Sequence, residues 1–282
     1  MASRPNARFQ SAAAVLRVVR RPRAGAATPW GWAAAGVLLG LLASLLLFAP
    51  ARWLAGGLQQ ASAGRLLLQD ARGTLWTGSA RLSLGGGAGS SAAAALPGRL
   101  AWQLRPTLAS PGLALQLQAD CCLAQAWRWH LSPRWNGLQM VFSDHQSHWP
   151  AQSLAGLGTP WNTLQLQGQL LLETQALGLS WSSGRLQVAG RAQLDVQDLS
   201  SRLSTLRPMG SYRLTLSGGA TPELLLATES GSLQLSGRGQ WVGGRLRFVG
   251  EASSTPESQA ALSNLLNIIG RRNGARSIIN LS

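Results

Sequence analysis

The sequence predicts a mainly β protein: one N-terminal transmembrane helix, then an antiparallel β-sheet domain that carries a helix near its C-terminus. Three observations predict this class. An uncharged apolar run occupies residues 30–49, apolar residues recur at every second position from about residue 66, and a helical spacing returns after residue 255. A one-sided apolar sheet must bury that face, so a curled sheet, a half-barrel and a sandwich all remain possible.

Residues 1–29 are rich in Ala and Arg and contain three prolines, which predicts a disordered tail. Six arginines and no acidic residue lie in this tail, whereas Arg52 and Arg65 are the first charges after the apolar run. The positive-inside rule therefore places residues 1–29 in the cytoplasm and residues 50–282 across the membrane.

The apolar run at residues 30–49 reads WGWAAAGVLLGLLASLLLFA. As a helix it suits the roughly 30 Å hydrocarbon core of a bilayer and satisfies its own backbone hydrogen bonds. A cleaved signal peptide is the competing interpretation, because Ala49-Pro50-Ala51 resembles a cleavage site. The run is longer than the usual signal-peptide core of about 7–15 residues, which favours an uncleaved anchor.

The segment after the anchor is predicted to be rich in short strands. Residues 50–61 can continue as a helix, and the alternation that follows predicts about a dozen strands that pair antiparallel through short turns. The candidate strands are residues 80–84, 100–104, 113–119, 127–131, 138–142, 164–172, 177–181, 186–196, 212–216, 233–235 and 246–248. Pro150 to Pro160 interrupts the pattern, which predicts a helical turn that divides the exported part into two halves. The Gly-rich segment 85–95 is predicted to be poorly ordered.

A helix is predicted close to the C-terminus. Ser254 or Thr255 can cap it, Pro256 suits its first turn, and Gly270 is placed to end it. Its apolar stripe, expected to cover part of the sheet, consists of Leu262, Leu265, Leu266 and Ile269. Ile278-Ile279 predicts a last short strand.

No combination of residues typical of an enzyme appears. His145 and His148 lie with Asp144 in the polar stretch DHQSHWP, which we expect to be a solvated loop, and Asp195 and Asp198 are the only close acidic pair that attracts attention. We therefore predict that the chain is not an enzyme and assign no catalytic, cofactor-binding or metal-ligating residue.

Cys121 and Cys122 are adjacent, and neighbouring strand residues point to opposite faces. One buried and one exposed thiol is the favoured expectation. A strained bridge between the two, or a bridge to another chain, remains the alternative.

Composition narrows the class of partner. The net charge is +15 and every basic residue is Arg, but the arginines are scattered along the strands rather than clustered. Scattered charge on an exported domain argues against nucleic acid and favours anionic lipid head groups or an acidic partner. The twelve Trp residues mostly stand beside Leu at strand positions, so we expect them to be structural.

Three stretches resemble the family of type II secretion system protein N. The first is Gly73-Thr74-Leu75-Trp76-Thr77-Gly78-Ser79-Ala80, similar to a G-T-x-W-x-G-x-A signature after the anchor. The second combines Pro150, Pro160 and Gly168 with the later run at residues 208–212. The third comprises residues 239–241, 248–252 and the run Leu265-Leu266-Asn267-Ile268-Ile269-Gly270-Arg271-Arg272.

The resemblance implies a single-pass protein of the inner membrane with a periplasmic domain, which supports export of folded periplasmic proteins across the outer membrane. It implies other subunits of that system as partners, alongside membrane lipids, with no cofactor, nucleic acid or small-molecule substrate. The alternative function is a membrane-anchored, lipid-handling or envelope-biogenesis protein that holds an apolar ligand in a curled sheet.

Overall fold

The computed structural model describes residues 30–87, 93–108, 110–242 and 245–281, so the predicted tail at residues 1–29 lies outside the described residues. The chain divides into two compact units after Ser44. Helix α1 (Trp30–Leu47) has no charged residue, a mean hydropathy of 1.9 and no buried side chain. It is long and apolar enough to cross a membrane.

The described part of the unit that begins at Leu45 contains three further helices, and its strands follow the predicted alternation. The helices are α2 (Ala51–Ala61), α3 (Trp161–Leu164) and α4 (Gln259–Ile269), with 3₁₀ turns at Ala151–Leu157 and Pro256–Ser258. The strands are β1 (Leu66–Gly73), β2 (Thr77–Gly85), β3 (Ala93–Ala95), β4 (Leu100–Thr107), β5 (Gly112–Ala119), β6 (Trp127–Arg134), β7 (Gly137–Phe142), β8 (His145–Pro150), β9 (Gln167–Ser182), β10 (Arg185–Ser200), β11 (Gly210–Ser217), β12 (Glu223–Gly231), β13 (Leu233–Val242), β14 (Arg245–Ser254), β15 (Arg271–Asn273) and β16 (Arg276–Leu281).

All sixteen strands form one antiparallel sheet, in the order β1-β2-β4-β5-β6-β7-β9-β10-β11-β12-β13-β14-β16-β15. Strand β3 pairs with β2 and strand β8 pairs with β9. Within the described residues β1 and β15 are the two edges, so the sheet is not closed. The predicted fold class is confirmed: 56% of the described residues are in strands, with one apolar N-terminal helix and a helix near the C-terminus.

The predicted division of the domain at residues 150–160 is wrong. The helical turn is present at Ala151–Leu157, but β7 and β8 both pair with β9, so the sheet runs on without a break. The prediction of a solvated loop at DHQSHWP is also wrong, because residues 145–150 of this stretch form strand β8. Residues 93–95 of the Gly-rich segment form a strand rather than a disordered loop, and residues 88–92 lie outside the described residues.

Extra residues in the long strands shift the apolar pattern from even to odd positions. Strand β9 carries one residue more than β10 at Ala176, whose φ is 45°, so that Leu170 and Leu172 share a face with Leu177 and Leu179. Such a bulge bends the strand without ending it. The two candidate strands that the sequence places at 164–172 and 177–181 are therefore one strand of sixteen residues.

The core consists of three apolar clusters. The largest joins the stripe of α4 to the sheet and contains Leu262, Leu265, Leu266, Met209, Tyr212 and Leu233, each no more than 2% exposed. The second surrounds Trp102 and the third surrounds Phe142. The expectation that the C-terminal helix covers part of the sheet is thus confirmed, and the helix ends at Ile269, before Gly270.

Candidate functional site

The family-like signature at residues 73–80 forms the turn between β1 and β2. Gly73 has a φ of +89°, which a side chain rarely tolerates. The ring of Trp102 lies against Gly78, where an added Cβ would stand 2.5 Å from the ring. The indole nitrogen of Trp102 donates to the carbonyl of Leu75 at 3.1 Å, so the two glycines admit a large ring across the turn.

This turn also binds the chain that leads into the sheet. The Leu75 N–H donates to the carbonyl of Ala49 at 2.7 Å, and Pro50 forms a β-bridge with Thr74. Ala51, at the start of α2, is 1% exposed and packs with Trp102. The signature therefore fixes the first residues after the apolar run to the first hairpin of the sheet.

An ion cluster lies at the bulge of β1. Asp70 accepts hydrogen bonds from Arg99 at 2.8 Å and from Arg72 at 3.2 Å. These bonds, the Arg99 bond first, hold the pKa of the Asp70 carboxyl below its ordinary value. Arg99 also donates to the backbone of Asp70 and Ser79, so the cluster clasps the β1–β2 pair.

The two acidic residues singled out in the sequence, Asp195 and Asp198, both lie on β10 and border one open cavity of about 300 Å³. Asp195 accepts from Arg213 at 2.7 Å, and Arg213 lies 3.2 Å from Glu229 across the sheet. Asp198 stands at a bulge of β10 with a φ of 51°. Sequence spacing could not reveal Arg213 and Glu229 as the partners, because strand pairing brings them together.

His145 belongs to an aromatic cluster rather than to a polar loop. Its ring stacks on Trp127 with 5.4 Å between centroids, beside Trp129 and Phe142. Its Nε2 atom is buried without a hydrogen-bond partner, and burial lowers the pKa of the imidazole. The neighbouring carboxylate, Asp144, accepts the Ala176 N–H at 2.6 Å and so caps the bulge of β9.

These polar groups border an open cavity of about 610 Å³ that is lined by Asp144, His145, Glu173 and Thr174. Across the described ranges, no three His, Cys, Asp or Glu side chains gather where they could hold a metal ion. His130 lies elsewhere, 3.1 Å from the Ser110 hydroxyl, and His148 bonds through its backbone N–H to the Cys122 carbonyl. The three histidines are not brought together.

The favoured expectation of two free thiols is wrong, because Cys121 and Cys122 form a disulfide. As expected, one cysteine is buried and the other is exposed: Cys122 is 3% exposed and Cys121 lies on the surface. The bridged pair occupies the turn between β5 and β6, held by the Cys122 N–H to Ala119 O bond of 3.0 Å.

The face of the sheet opposite the α4 cluster carries exposed apolar side chains at its C-terminal strands. Leu225 and Val249 are 44% and 62% exposed, and Arg238 lies between them as the cross-strand neighbour of both. Leu226 and Phe248 alternate with them and point to the other face. We call Leu225, Arg238 and Val249 the outer row.

Together these features define an open, antiparallel sheet protein preceded by one apolar helix, in which the turn at residues 73–80 joins the sheet to the segment that leads into it. The family model described as "Type II secretion system (T2SS), protein N" matches residues 64–279. The chain therefore belongs to the family of type II secretion system protein N. No curated protein and no solved structure matches it. The predicted resemblance is confirmed, and family membership supports a role in type II secretion together with other subunits of that system.

Proposed function

We propose that the chain is a non-enzymatic inner-membrane component of the type II secretion system, which supports export of folded periplasmic proteins through contacts with other subunits. The family match over residues 64–279 carries this proposal. In it, residues 30–49 anchor the chain, residues 1–29 lie in the cytoplasm and residues 50–282 form the periplasmic domain.

The composition of α1 and its flanks supports the anchor and its direction. Apart from Ser44 the helix exposes apolar and Trp side chains, and the cost of placing their apolar surface in water disappears in lipid. Arginine is abundant before the helix and sparse directly after it, which favours a cytoplasmic N-terminus.

A structural role for the polar groups supports a function without catalysis. Asp70 and Asp195 each accept hydrogen bonds from arginine, and Asp144 caps a bulge. Each carboxylate thereby stabilises a strand pair. The lipid-handling alternative stays a prediction.

The outer row supplies a surface for a subunit contact. Leu225 and Val249 are the apolar part, and Arg238 is partly neutralised by Glu223 at 2.6 Å. Exposed apolar side chains framed by charge are typical of protein interfaces. In this proposal the partner is another secretion subunit in the periplasm.

The first test is a deletion strain complemented with the full chain. We expect secreted enzymes to accumulate in the periplasm of the deletion strain and to reach the medium after complementation. A Leu38→Arg/Leu42→Arg variant in α1 should fail to complement, whereas Leu38→Ile/Leu42→Ile should succeed. Normal secretion in the deletion strain would contradict a supporting role.

Orientation and partner contact are tested separately. Alkaline phosphatase fused after Ser282 should be active, since this enzyme folds only outside the cytoplasm. A photo-crosslinking residue at Val249 should capture a secretion subunit in intact cells, and the same residue at the exposed Gln187 serves as the control. An inactive fusion would contradict the proposed direction, and equal capture at the two sites would contradict the outer row as the interface.

A further inference from the structure

Three hairpin turns lie at one end of the sheet: residues 108 and 110–111 between β4 and β5, 135–136 between β6 and β7, and 183–184 between β9 and β10. The pairing of Gly137 with Ser182 sets two of these turns side by side, and the pairing of Leu113 with Leu131 sets the third beside them. We call these three turns with their flanking residues the rim.

The rim exposes large apolar side chains. Trp135 is fully exposed and Leu108 is 97% exposed, each at the tip of a turn. Trp181 is 49% exposed beside its cross-strand partner Leu138, at 40%. Side chains of this size normally contribute to a core, so two of them standing bare at hairpin tips indicate contact with something apolar.

The opposite end of the sheet is built differently. Its longer connections fold back and bury apolar residues such as Leu164 in α3 and Leu262 in α4, at 6% and 0% exposure, while Trp161 and Ile268 in the same helices are 39% and 38% exposed. What distinguishes the rim is the almost complete exposure of Leu108 and Trp135, which neither of these two helices matches.

The rim is also cationic. Residues 105–112, 132–139 and 179–187 contain Arg105, Arg134 and Arg185, one in each hairpin, and no Asp or Glu. Trp and Arg without acidic residues is the composition that favours the interface of an anionic membrane, where indole rings sit at head-group level and arginine binds phosphate.

The position of the rim fits such a contact. The β1–β2 turn lies at the same end, because Thr77 pairs with Gln103 and the Leu104 N–H donates to Trp76 O at 2.6 Å. That turn binds Ala49 and Pro50, the residues that directly follow the apolar run. The residues that directly follow the apolar run thus contact the sheet at the end where the rim lies.

We propose that the rim docks on the membrane from which the chain emerges, with Leu108 and Trp135 in the head-group layer and the three arginines bound to anionic phospholipid. This rests on the proposed function, since it needs residues 30–49 in the membrane. The sheet then contacts the bilayer by its own hairpins in addition to its covalent anchor.

The test uses the full chain in nanodiscs of phosphatidylethanolamine and phosphatidylglycerol. A benzophenone amino acid replaces Leu108 or Trp135 in the rim, Val249 on the outer row, or Val37 within α1. Mass spectrometry after illumination measures the fraction of chains that carry a lipid adduct. We expect adducts at 37, 108 and 135, and a yield at least about tenfold lower at 249.

Two further arms test the charge. Replacing phosphatidylglycerol with phosphatidylcholine should lower the yield at 135 several-fold, and the triple variant R105Q/R134Q/R185Q should lower it likewise in the original nanodiscs. The yield at 37 should change in neither case.

The outcomes separate the two proposals. Adducts at 37 without adducts at 108 and 135 would overturn the rim contact and leave the anchor standing. Equal yields at 249 and 135 would also overturn it. Absence of adducts at 37 would overturn the anchor itself, and with it the basis of the rim contact.

Discussion

The hydroxyl of Thr228 bridges the backbone of Leu235, donating to its carbonyl at 2.8 Å and accepting its N–H at 2.6 Å. Backbone pairing between β12 and β13 covers only Glu223–Leu226 and Gly237–Gln240, so the threonine side chain takes over where the two strands separate. The Thr228 side chain here makes the two hydrogen bonds that a backbone pair would otherwise make.

Removing this hydroxyl should destabilise the domain. We expect Thr228→Val to lower the free energy of unfolding by about 1–3 kcal/mol, because two half-buried backbone groups lose their partner while the shape is kept. Thr228→Ser retains the hydroxyl and should cost less. Urea unfolding of the full chain in detergent, followed by circular dichroism, measures both, and equal losses would contradict the bridging role.

The close approach of Trp102 to Gly78 predicts a second loss. Gly78→Ala should lower the free energy of unfolding by about 1–3 kcal/mol, because its Cβ would stand 2.5 Å from the Trp102 ring and 2.6 Å from the Arg72 carbonyl. The control is Gly178→Ala, another strand glycine, whose Cβ would meet its nearest neighbour at 3.7 Å. If both variants unfold at the same urea concentration, the ring contact does not constrain residue 78.

The bulge at Ala176 predicts a gain. Because the left-handed conformation costs an alanine more than a glycine, we expect Ala176→Gly to raise the free energy of unfolding by about 0.5–1 kcal/mol. Ala189→Gly, at an exposed and ordinary position of the neighbouring strand, should lower it by about the same amount. The two changes in urea midpoint should therefore have opposite signs, and a shared sign would refute the explanation.

The stripe of α4 predicts the largest loss. Leu265→Ala should cost about 2–5 kcal/mol, since the side chain is 1% exposed in the largest cluster. Asn267→Ala, on the exposed side of the same helix, should change the free energy of unfolding by no more than about 0.5 kcal/mol. Similar losses in the two variants would mean that α4 does not bury this stripe in solution.

The buried ring of His145 predicts a pH dependence. Its pKa in the folded state lies below the ordinary 6.5, so the unfolded chain binds the proton first as the pH falls. Stability should decline as the pH drops below about 6.5, at no more than about 1.4 kcal/mol per pH unit from this group. His145→Gln should unfold with a shallower pH profile between pH 7.5 and 5. An unchanged slope would show that another group controls the titration.

The sequence predicts those parts of the fold that follow from local periodicity. Strands such as β5 and β6, the helix after Pro256 and the apolar run all appear where alternation or helical spacing places them. Strand β8 is not predicted, because the stretch DHQSHWP is mostly polar and shows no alternation. It becomes a strand by pairing with β9, which lies further along the chain. Bulges at Asp70, Ala176 and Asp198 also escape, since a one-residue slip in alternation looks like the end of a strand.

The candidate site divides in the same way. The glycines of the signature indicate a turn, but the ring that requires Gly78 comes from Trp102 on another strand. The partners of Asp195, and the position of the rim at the same end of the sheet as Ala49, likewise depend on register, which is a property of paired strands rather than of one segment.

The strand order has a consequence for how the domain forms. Almost every strand pairs with the one that precedes it in the chain, from β1 to β14. When the chain emerges N-terminus first, most new strands can therefore pair with a strand that has already formed, because their partners precede them in the sequence. The largest cluster is completed only when α4 and strand β16 have been added, because Leu262, Leu265 and Ile279 all belong to it. Until then the paired strands expose the apolar face that α4 later covers.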